Sequence, residues 1–303
     1  MRGEGNGVTT AALAAPVPRL LAAWEQQRRA RRSATLLYAA IFLACVAAAG
    51  WMSEVHPATV AAGIPRIGEY FWLILPTLRW EVLFAGPKVE GSLAFWMYRL
   101  DAWAWLMFET SQMAALATLL GSVAGFVFCF PASRNLMPGM PVTFTLVRRF
   151  LELFRTVPDI VYALILVWAF GVGPLAGILA IALHSTGALG KLFAEAVENA
   201  DMRPVDALLA SGGTWLHAVR FAIVPQVLPN MLSYALLRFE INLRGASVIG
   251  FVGAGGIGQE LYTVISFNYY EEVSAIVLLI ILAVSAIDLI SETIRFRIIG
   301  ARA

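Results

Sequence analysis

The chain has 303 residues, of which 59% are hydrophobic and 14% are charged, and its mean hydropathy is +0.74. Because soluble domains carry about 25% charged residues, this composition excludes an ordinary soluble domain and indicates a helical membrane protein. The net charge of only +2 gives no indication of a nucleic-acid-binding protein.

The N-terminal third predicts one span and a long connection. Residues 1–33 are rich in Ala and Arg and lead into a segment long enough to cross a membrane, so we expect a cytoplasmic segment and not a cleaved signal. The first predicted span is 34–52. Residues 53–107 contain five tryptophans among charges of both signs. Tryptophan favours the headgroup region, so a periplasmic loop with short helices lying on the membrane is expected.

Six spans are predicted from apolar runs of about 20 residues, the length that crosses the hydrocarbon core. They are, in chain order, 34–52, 110–130, 160–173, 174–190, a run that starts near Pro225, and 273–287. The third run is short, and charged residues interrupt the fifth. The predicted fold is therefore an all-α polytopic bundle, with its main membrane domain over 108–297.

The distribution of basic residues predicts the orientation. Sixteen of the 22 Lys and Arg residues lie in the N-terminal segment, the connections 131–159 and 191–224, and the C-terminus, whereas four lie in 53–107. Cytoplasmic connections carry the excess of basic residues. We therefore expect a multi-pass membrane protein with both termini in the cytoplasm.

The connection 191–224 predicts a short exposed helix from Pro204 to Ser211. Proline suits the first helical turn, the residues around Ala207 favour helix, and Gly212 suits a helix end. A short helix on a cytoplasmic connection is typical of an element that binds another protein.

The spacing within this connection resembles the EAA loop of ABC importer permeases. That loop reads Glu-Ala-Ala, three residues, Gly, nine residues and then Ile-x-Leu-Pro. Here Asp206-Ala207-Leu208 is followed at the same spacing by Gly212 and by 222–225, where Pro225 is kept. The resemblance implies a cytoplasmic coupling helix that docks on a separate ATP-hydrolysing subunit. The residues implied in docking are Asp206, Ala207, Leu208, Gly212, Glu195 and Glu198.

The fifth predicted span contains three charged residues, Arg238, Glu240 and Arg244. Charged side chains within a span usually face the bundle interior or an aqueous path. Glu240 and Arg244 are four residues apart and share a helix face in the order that favours an ion pair. Two interpretations stay open: a structural pair that joins helices, or a pair that lines a substrate path, where Arg244 attracts an anion.

A glycine-rich stretch follows this span. Gly253, Gly255 and Gly258 match the dinucleotide-binding pattern G-x-G-x-x-G, but that pattern needs a preceding strand in a βαβ unit. Here it lies between two predicted spans, so no nucleotide site is expected. Glycine lets backbones bend and approach closely, which favours a tightly packed or flexible turn at the outer end of the span.

Residues from about Thr110 to Arg297 resemble the permease of phosphonate ABC transporters. The resemblance rests on the segments 171–174, 186–187, 190–191, 225–229, 239–244 and 253–258, with His184, Glu195 and Glu198. It implies the ABC importer type I permease fold and ATP-driven import of phosphonates, with phosphite, hypophosphite or phosphate as alternative cargo. It also implies a homodimer with two ATPase subunits and a periplasmic phosphonate-binding protein. ATP and Mg²⁺ would be bound by the partner ATPase and no cofactor by this chain.

The candidate residues for a translocation path or gate are His184, Glu240, Asn242, Arg244, Gly253, Gly255 and Gly256. His184 lies midway along the fourth predicted span, with no second His or carboxylate at ligand spacing, so no metal site is expected. Two roles fit this residue: a hydrogen-bonded interior histidine, or a residue of the path.

Two other classes of protein are disfavoured. An intramembrane enzyme using His184 or Glu240 would need a second catalytic group, and neither a Ser/His/Asp arrangement nor a Walker A loop occurs. A secondary transporter would have two related halves with broken spans, and no clear internal repeat is present. The sequence therefore predicts a transport subunit without a catalytic site, surrounded by membrane lipids.

Overall fold

The computed structural model describes residues 16–300, which form helices and contain no strand. The predicted all-α fold is therefore confirmed. The chain divides into two compact units between Phe71 and Trp72.

The first unit contains two helices in the part that the structure describes, from residue 16 onward. Helix α1 spans Pro16–Met52 and ends where the first predicted span ends, but it begins well before residue 34. Helix α2 spans Pro57–Ile74 and lies mostly within this unit. It occupies part of the predicted loop, and it is not among the helices long and apolar enough to cross a membrane. Its expected position on the membrane surface stays a prediction.

The second unit contains the remaining helices. They are α3 (Leu93–Trp96), α4 (Leu100–Cys129), α5 (Pro141–Thr156), α6 (Asp159–Phe170), α7 (Pro174–Glu198), α8 (Arg203–Ala210), α9 (Trp215–Ala218), α10 (Val224–Ile249), α11 (Gly256–Ser266) and α12 (Tyr270–Gly300). A π-helical turn, Val219–Ile223, joins α9 to α10. Single 3-10 turns lie at Trp80–Val82, Arg134–Leu136 and Gly250–Val252.

Among the described residues, four helices are by themselves long and apolar enough to span a membrane: α1, α4, α7 and α12. The number rises to six when each of two bent pairs counts as one span. These pairs are α5 with α6, and the stretch Trp215–Val252 with α11. The two pairs correspond to the third and fifth predicted spans, which were the short and the charge-interrupted ones.

The bend between α5 and α6 measures 85° and lies at Val157 and Pro158. Proline disfavours helical geometry at the residue before it, and Val157 is extended, with ψ of 123°. The third predicted span is therefore only twelve residues of helix, preceded by a sharply turned amphipathic helix.

Helix α7 packs closely against α4 and α5 through glycines. A Cβ at Gly187 would lie 2.6 Å from the carbonyl oxygen of Leu151 in α5. A Cβ at Gly125 in α4 would lie 2.9 Å from the backbone nitrogen of Gly190. Small residues of this kind let membrane helices approach at backbone distance, so α7 forms the centre around which the second unit packs.

Two clusters of buried apolar side chains flank this centre. The first cluster includes Trp103, Ile181, Leu243 and Ile257. The second cluster includes Leu151, Leu189, Phe193, Val205 and Ile223, and it lies beside α8.

Candidate functional site

Helix α8 is an eight-residue helix in the connection between α7 and α10. It begins at Arg203 and ends at Ala210, within one residue of the helix predicted from Pro204 to Ser211, which confirms that prediction. Pro204 lies in the first turn, where its missing N–H needs no partner. Val205 is buried in the second cluster and anchors the helix to the bundle.

Two glycines follow the end of α8. Gly212 has a φ of +88°, in the left-handed region that favours glycine. Gly213 donates its N–H to the carbonyl of Leu208 at 2.9 Å, and a Cβ on Gly213 would lie 2.7 Å from that oxygen. The turn after α8 therefore disfavours larger residues at both positions.

The outer face of α8 is open. Asp206, Ala207 and Ala210 are exposed, whereas Leu208 is half-buried against the second cluster. A cavity of about 470 Å³ opens beside this face. Its lining includes Met137, Met140, Met202, Leu209 and Trp215. An anchored helix with an exposed carboxylate and an adjacent apolar hollow has the chemistry of a surface that binds another protein.

Glu195 and Glu198 do not belong to α8. They lie in the last turns of α7, so they are not part of the short helix, and their role in docking stays a prediction. Helix α7 continues this far because its last turns contain good helix formers and bury Val197. The Oε1 atom of Glu198 accepts hydrogen bonds from the backbone N–H of Arg134 at 2.9 Å and from Nη1 of Arg148 at 3.0 Å.

Replacing Glu198 with Gln is therefore expected to lower the thermal stability of the protein. The variant loses a charge-assisted contact between partly exposed groups, at a cost of about 1 kcal/mol, which corresponds to roughly 2–4 °C in Tm. A thermal melt in detergent measures this shift. Glu195→Gln is the matched control, because Glu195 is more exposed and lies 3.9 Å from Lys191. Equal shifts in the two variants would contradict the assigned role of Glu198.

A network of polar side chains crosses the middle of the second unit. Asn242 on α10 donates from Nδ2 to Oγ1 of Thr118 on α4 at 2.8 Å and to Oγ of Ser185 on α7 at 2.9 Å. Arg238 donates from Nε to the same Ser185 oxygen at 3.0 Å. Thr118, Ser185 and Asn242 are all buried. The network therefore joins three helices around an arginine within the bundle.

Glu240 and Arg244 both face α12. Oε1 of Glu240 lies 3.7 Å from Nη2 of Arg295, and Nη1 of Arg244 lies 3.4 Å from Oδ2 of Asp288. Each residue pairs with α12 and not with the other, which contradicts the interpretation as a Glu240–Arg244 pair. The interpretation that the two residues line a path stays a prediction. An isolated charge at the centre of a span costs about 2.5–3.5 kcal/mol by insertion scales, so these pairs stabilise the contact between the two helices.

His184 supports the bend between α5 and α6. Its Nδ1 atom lies 3.0 Å from the carbonyl oxygen of Val157, the residue before Pro158. Because a carbonyl oxygen only accepts, Nδ1 is the donor. Within residues 16–300, no group of three His, Cys, Asp or Glu side chains could hold a metal ion. A path role for His184 stays a prediction.

The glycine-rich turn packs against the connection before α7. Gly253, Gly255 and Gly256 have φ of +86°, +82° and +72°. Gly173 donates its N–H to the carbonyl of Gly253 at 2.9 Å, and a Cβ at Gly255 would lie 3.2 Å from Pro174. Of the two expected forms, the turn is therefore the tightly packed one. Its role as a gate stays a prediction.

At the start of α4, polar contacts hold the preceding loop to the last two helices. Arg99 forms an ion pair with Glu260 at 2.7 Å, and the hydroxyl of Tyr98 donates to Glu272 at 2.6 Å. Partial burial and the neighbouring Glu272 carboxylate raise the pKa of Tyr98 above its ordinary value. The hydroxyl therefore stays protonated and can donate this hydrogen bond at neutral pH.

The chain matches one protein family over most of this unit. Residues 117–299 fit the family described as the binding-protein-dependent transport system inner membrane component. The chain belongs to this family. It is the membrane-spanning permease subunit of an ABC importer, a class of transporter in which a separate ATPase subunit binds the nucleotide.

Two relatives of this permease match it over different shares of its length. It is 35% identical to the phosphite transport system permease protein PtxC of Stutzerimonas stutzeri over 86% of each chain. It is 38% identical to the phosphate-import permease protein PhnE of Mycolicibacterium smegmatis over 63% of this chain and 36% of that protein.

Solved structures share the fold of this permease. The inward-facing MetNI methionine ABC transporter matches with a TM-score of 0.57 and 20% identity, over 66% of this chain and 97% of that chain. A bacterial ABC transporter involved in alginate import matches with a TM-score of 0.57 and 12% identity, over 82% and 96% of the two chains. The ABC importer permease fold implied by the sequence resemblance is thus confirmed.

Proposed function

We propose that two copies of this permease form a pore that imports phosphonates across the inner membrane. The observation that carries the proposal is the similarity over 86% of the chain to a permease named for phosphite transport. Phosphonates and phosphite share a tetrahedral phosphorus with several anionic oxygens, so one membrane path suits both. Phosphite is the second candidate cargo for the same reason.

Each copy docks one ATPase subunit through α8. The exposed Asp206, the open face around Ala207 and the adjacent cavity of about 470 Å³ support this contact. ATP binding draws the two ATPase subunits together, and the paired α8 helices transmit that movement to the bundle. The path then opens alternately to the two sides, a shift between two states that ATP and cargo bias.

The termini and α8 lie in the cytoplasm, and the cargo arrives from a periplasmic binding protein at the opposite side. Sixteen of the 22 basic residues lie in the segments assigned to the cytoplasm, which supports this orientation. Labelling of a cysteine introduced at Ala207 tests it, since a reagent that cannot cross the membrane should react only in inverted vesicles. Labelling of intact cells would contradict the assigned orientation.

Transport is tested by reconstituting the permease with its ATPase in proteoliposomes. We expect uptake of methylphosphonate or phosphite only with ATP and the loaded binding protein both present. Phosphate, presented on the same binding protein, is the comparison cargo. Uptake driven by an ion gradient without ATP, or no uptake of any phosphorus oxyanion, would contradict the proposed function. Native mass spectrometry of the purified complex is expected to give two permeases and two ATPases.

A further inference from the structure

Helix α10 presents its charged residues on two different faces. Glu240 and Arg244 face α12, where they are paired with Arg295 and Asp288. Arg244, the residue that the sequence favoured for attracting an anion, therefore already has a counter-charge 3.4 Å away. Because the Asp288 carboxylate offsets its charge, Arg244 attracts a transported anion less strongly than an arginine without such a partner.

Arg238 lies on the other face and is held differently. Its Nε–H is bonded to Ser185, and the described residues provide no hydrogen-bond partner for the four N–H groups at the end of the guanidinium. None of the ion pairs between described residues involves Arg238. Asp159, at the start of α6, acts on it electrostatically without forming such a pair. Among the described residues of α10, Arg238 is therefore the charged residue that lacks an ion-pair partner.

The base of the Arg238 side chain is fixed by the polar network. Ser185 accepts from both Arg238 and Asn242, and its hydroxyl donates to Oδ1 of Asn242 at 3.2 Å. Thr118 completes the network from α4. A guanidinium whose Nε is already bonded can turn its two terminal nitrogens outward as a fork, the geometry that binds two oxygens of one oxyanion.

Arg238 also borders the open side of α10. Leu237, Ile241 and Val248 are 37%, 52% and 55% exposed and form one uncovered strip of this helix. At 100° per residue, Arg238 lies between this strip and the buried Asn242. Its terminal N–H groups can therefore be reached from the uncovered side of the helix.

We propose that the guanidinium of Arg238 contacts the transported oxyanion midway through the bundle. Ser185, Asn242 and Thr118 are positioning residues, and Asp159 is the resting counter-charge that the oxyanion displaces. The Asp159 carboxylate lies near the same face of α10, since a Cβ on Gly245 would be 3.4 Å from it. This inference rests on the proposed import of a phosphorus oxyanion and adds the residue that contacts it.

The test compares Arg238→Gln, Arg238→Lys and Arg244→Gln in the reconstituted complex with its loaded binding protein. Methylphosphonate and phosphite are the cargoes. Arg238→Gln should assemble normally and lower the uptake rate about 10- to 100-fold, the effect of losing charge-assisted hydrogen bonds. Arg238→Lys should recover part of the rate because it keeps the charge. Arg244→Gln is the matched control. It should lower the Tm of the complex, and its uptake rate should stay closer to the wild-type rate than that of Arg238→Gln.

Three results would overturn the site. They are unchanged uptake in Arg238→Gln, no recovery with Lys, or a larger loss of uptake in Arg244→Gln. If Arg238→Gln fails to assemble, Ser185→Ala replaces it, because this change removes the bond that orients the guanidinium without adding volume. Wild-type uptake in Ser185→Ala would then overturn the proposal. Absence of uptake by the wild type would overturn the proposed function as well, whereas equal uptake by wild type and Arg238→Gln overturns the site alone.

Discussion

The double variant Asp206→Lys and Gly212→Asp is expected to abolish both ATPase co-purification and uptake. Asp206 is an exposed carboxylate in the first turn of α8, and Lys reverses its charge. Gly212 has a φ of +88°, so Asp strains the turn that ends the helix. Loss of one member of a desolvated charged pair at an interface costs about 2–5 kcal/mol, so recovery of the ATPase should fall roughly 30-fold or more.

The control for this variant is Glu25→Lys. Glu25 is exposed on α1, and the same reversal of charge there should leave ATPase recovery unchanged. The single variants separate the two effects: Asp206→Lys should reduce docking with α8 intact, and Gly212→Asp should act through the turn. If the double variant retains its ATPase and its uptake, α8 is not the coupling helix.

The change Gly258→Ala is expected to cost about 3 kcal/mol of stability, the upper part of the usual range for overpacking. A Cβ at Gly258 would overlap the carbonyl oxygen of Ser247, and it would lie 3.2 Å from the Cα of Gly250. Both obstacles are backbone atoms, one in the last turn of α10 and one in the 3-10 turn that follows it, so no side-chain rotation relieves the contact. We expect a much lower yield of monodisperse protein in detergent and a Tm lowered by roughly 6–12 °C.

Gly68→Ala is the matched control for this change. Gly68 lies within α2, and a Cβ there would meet nothing within 4 Å. Alanine is the better helix former by about 1 kcal/mol, so this variant should be as stable as the wild type or slightly more so. Similar melting curves for the two alanine variants would show that the turn at Gly258 relaxes easily, against the close packing described above.

The spans that the sequence predicted with most support are the ones that the structure contains as single long helices. Helices α4, α7 and α12 each contain a continuous apolar run. Such a run can be recognised in the sequence without knowing which helices pack beside it. The third predicted span differs because Pro158 breaks the helix before it and turns the chain by 85°. A hydropathy pattern shows how long an apolar segment is, but it does not show where the chain changes direction.

The short helix α8 was predictable because its signals are local. Pro204 at the first turn and Gly212 at the end act within a few residues of each other. Local signals could not show the partners of Glu198. Its side chain bonds to Arg134 and Arg148, more than 40 positions away in the chain, and its docking role stays a prediction.

The sequence by itself determined the class of the protein, the main spans and the short helix that ends before Gly212. These follow from composition, from the length of apolar runs and from turn residues, all of which act locally. Only the tertiary structure decided which partners the charged residues of α10 have. Arg244 pairs with Asp288, whereas Arg238 is bonded through Nε to Ser185 and forms no ion pair with a described residue. Pairing depends on which helix lies against which face, and that is set by packing between segments distant in the chain.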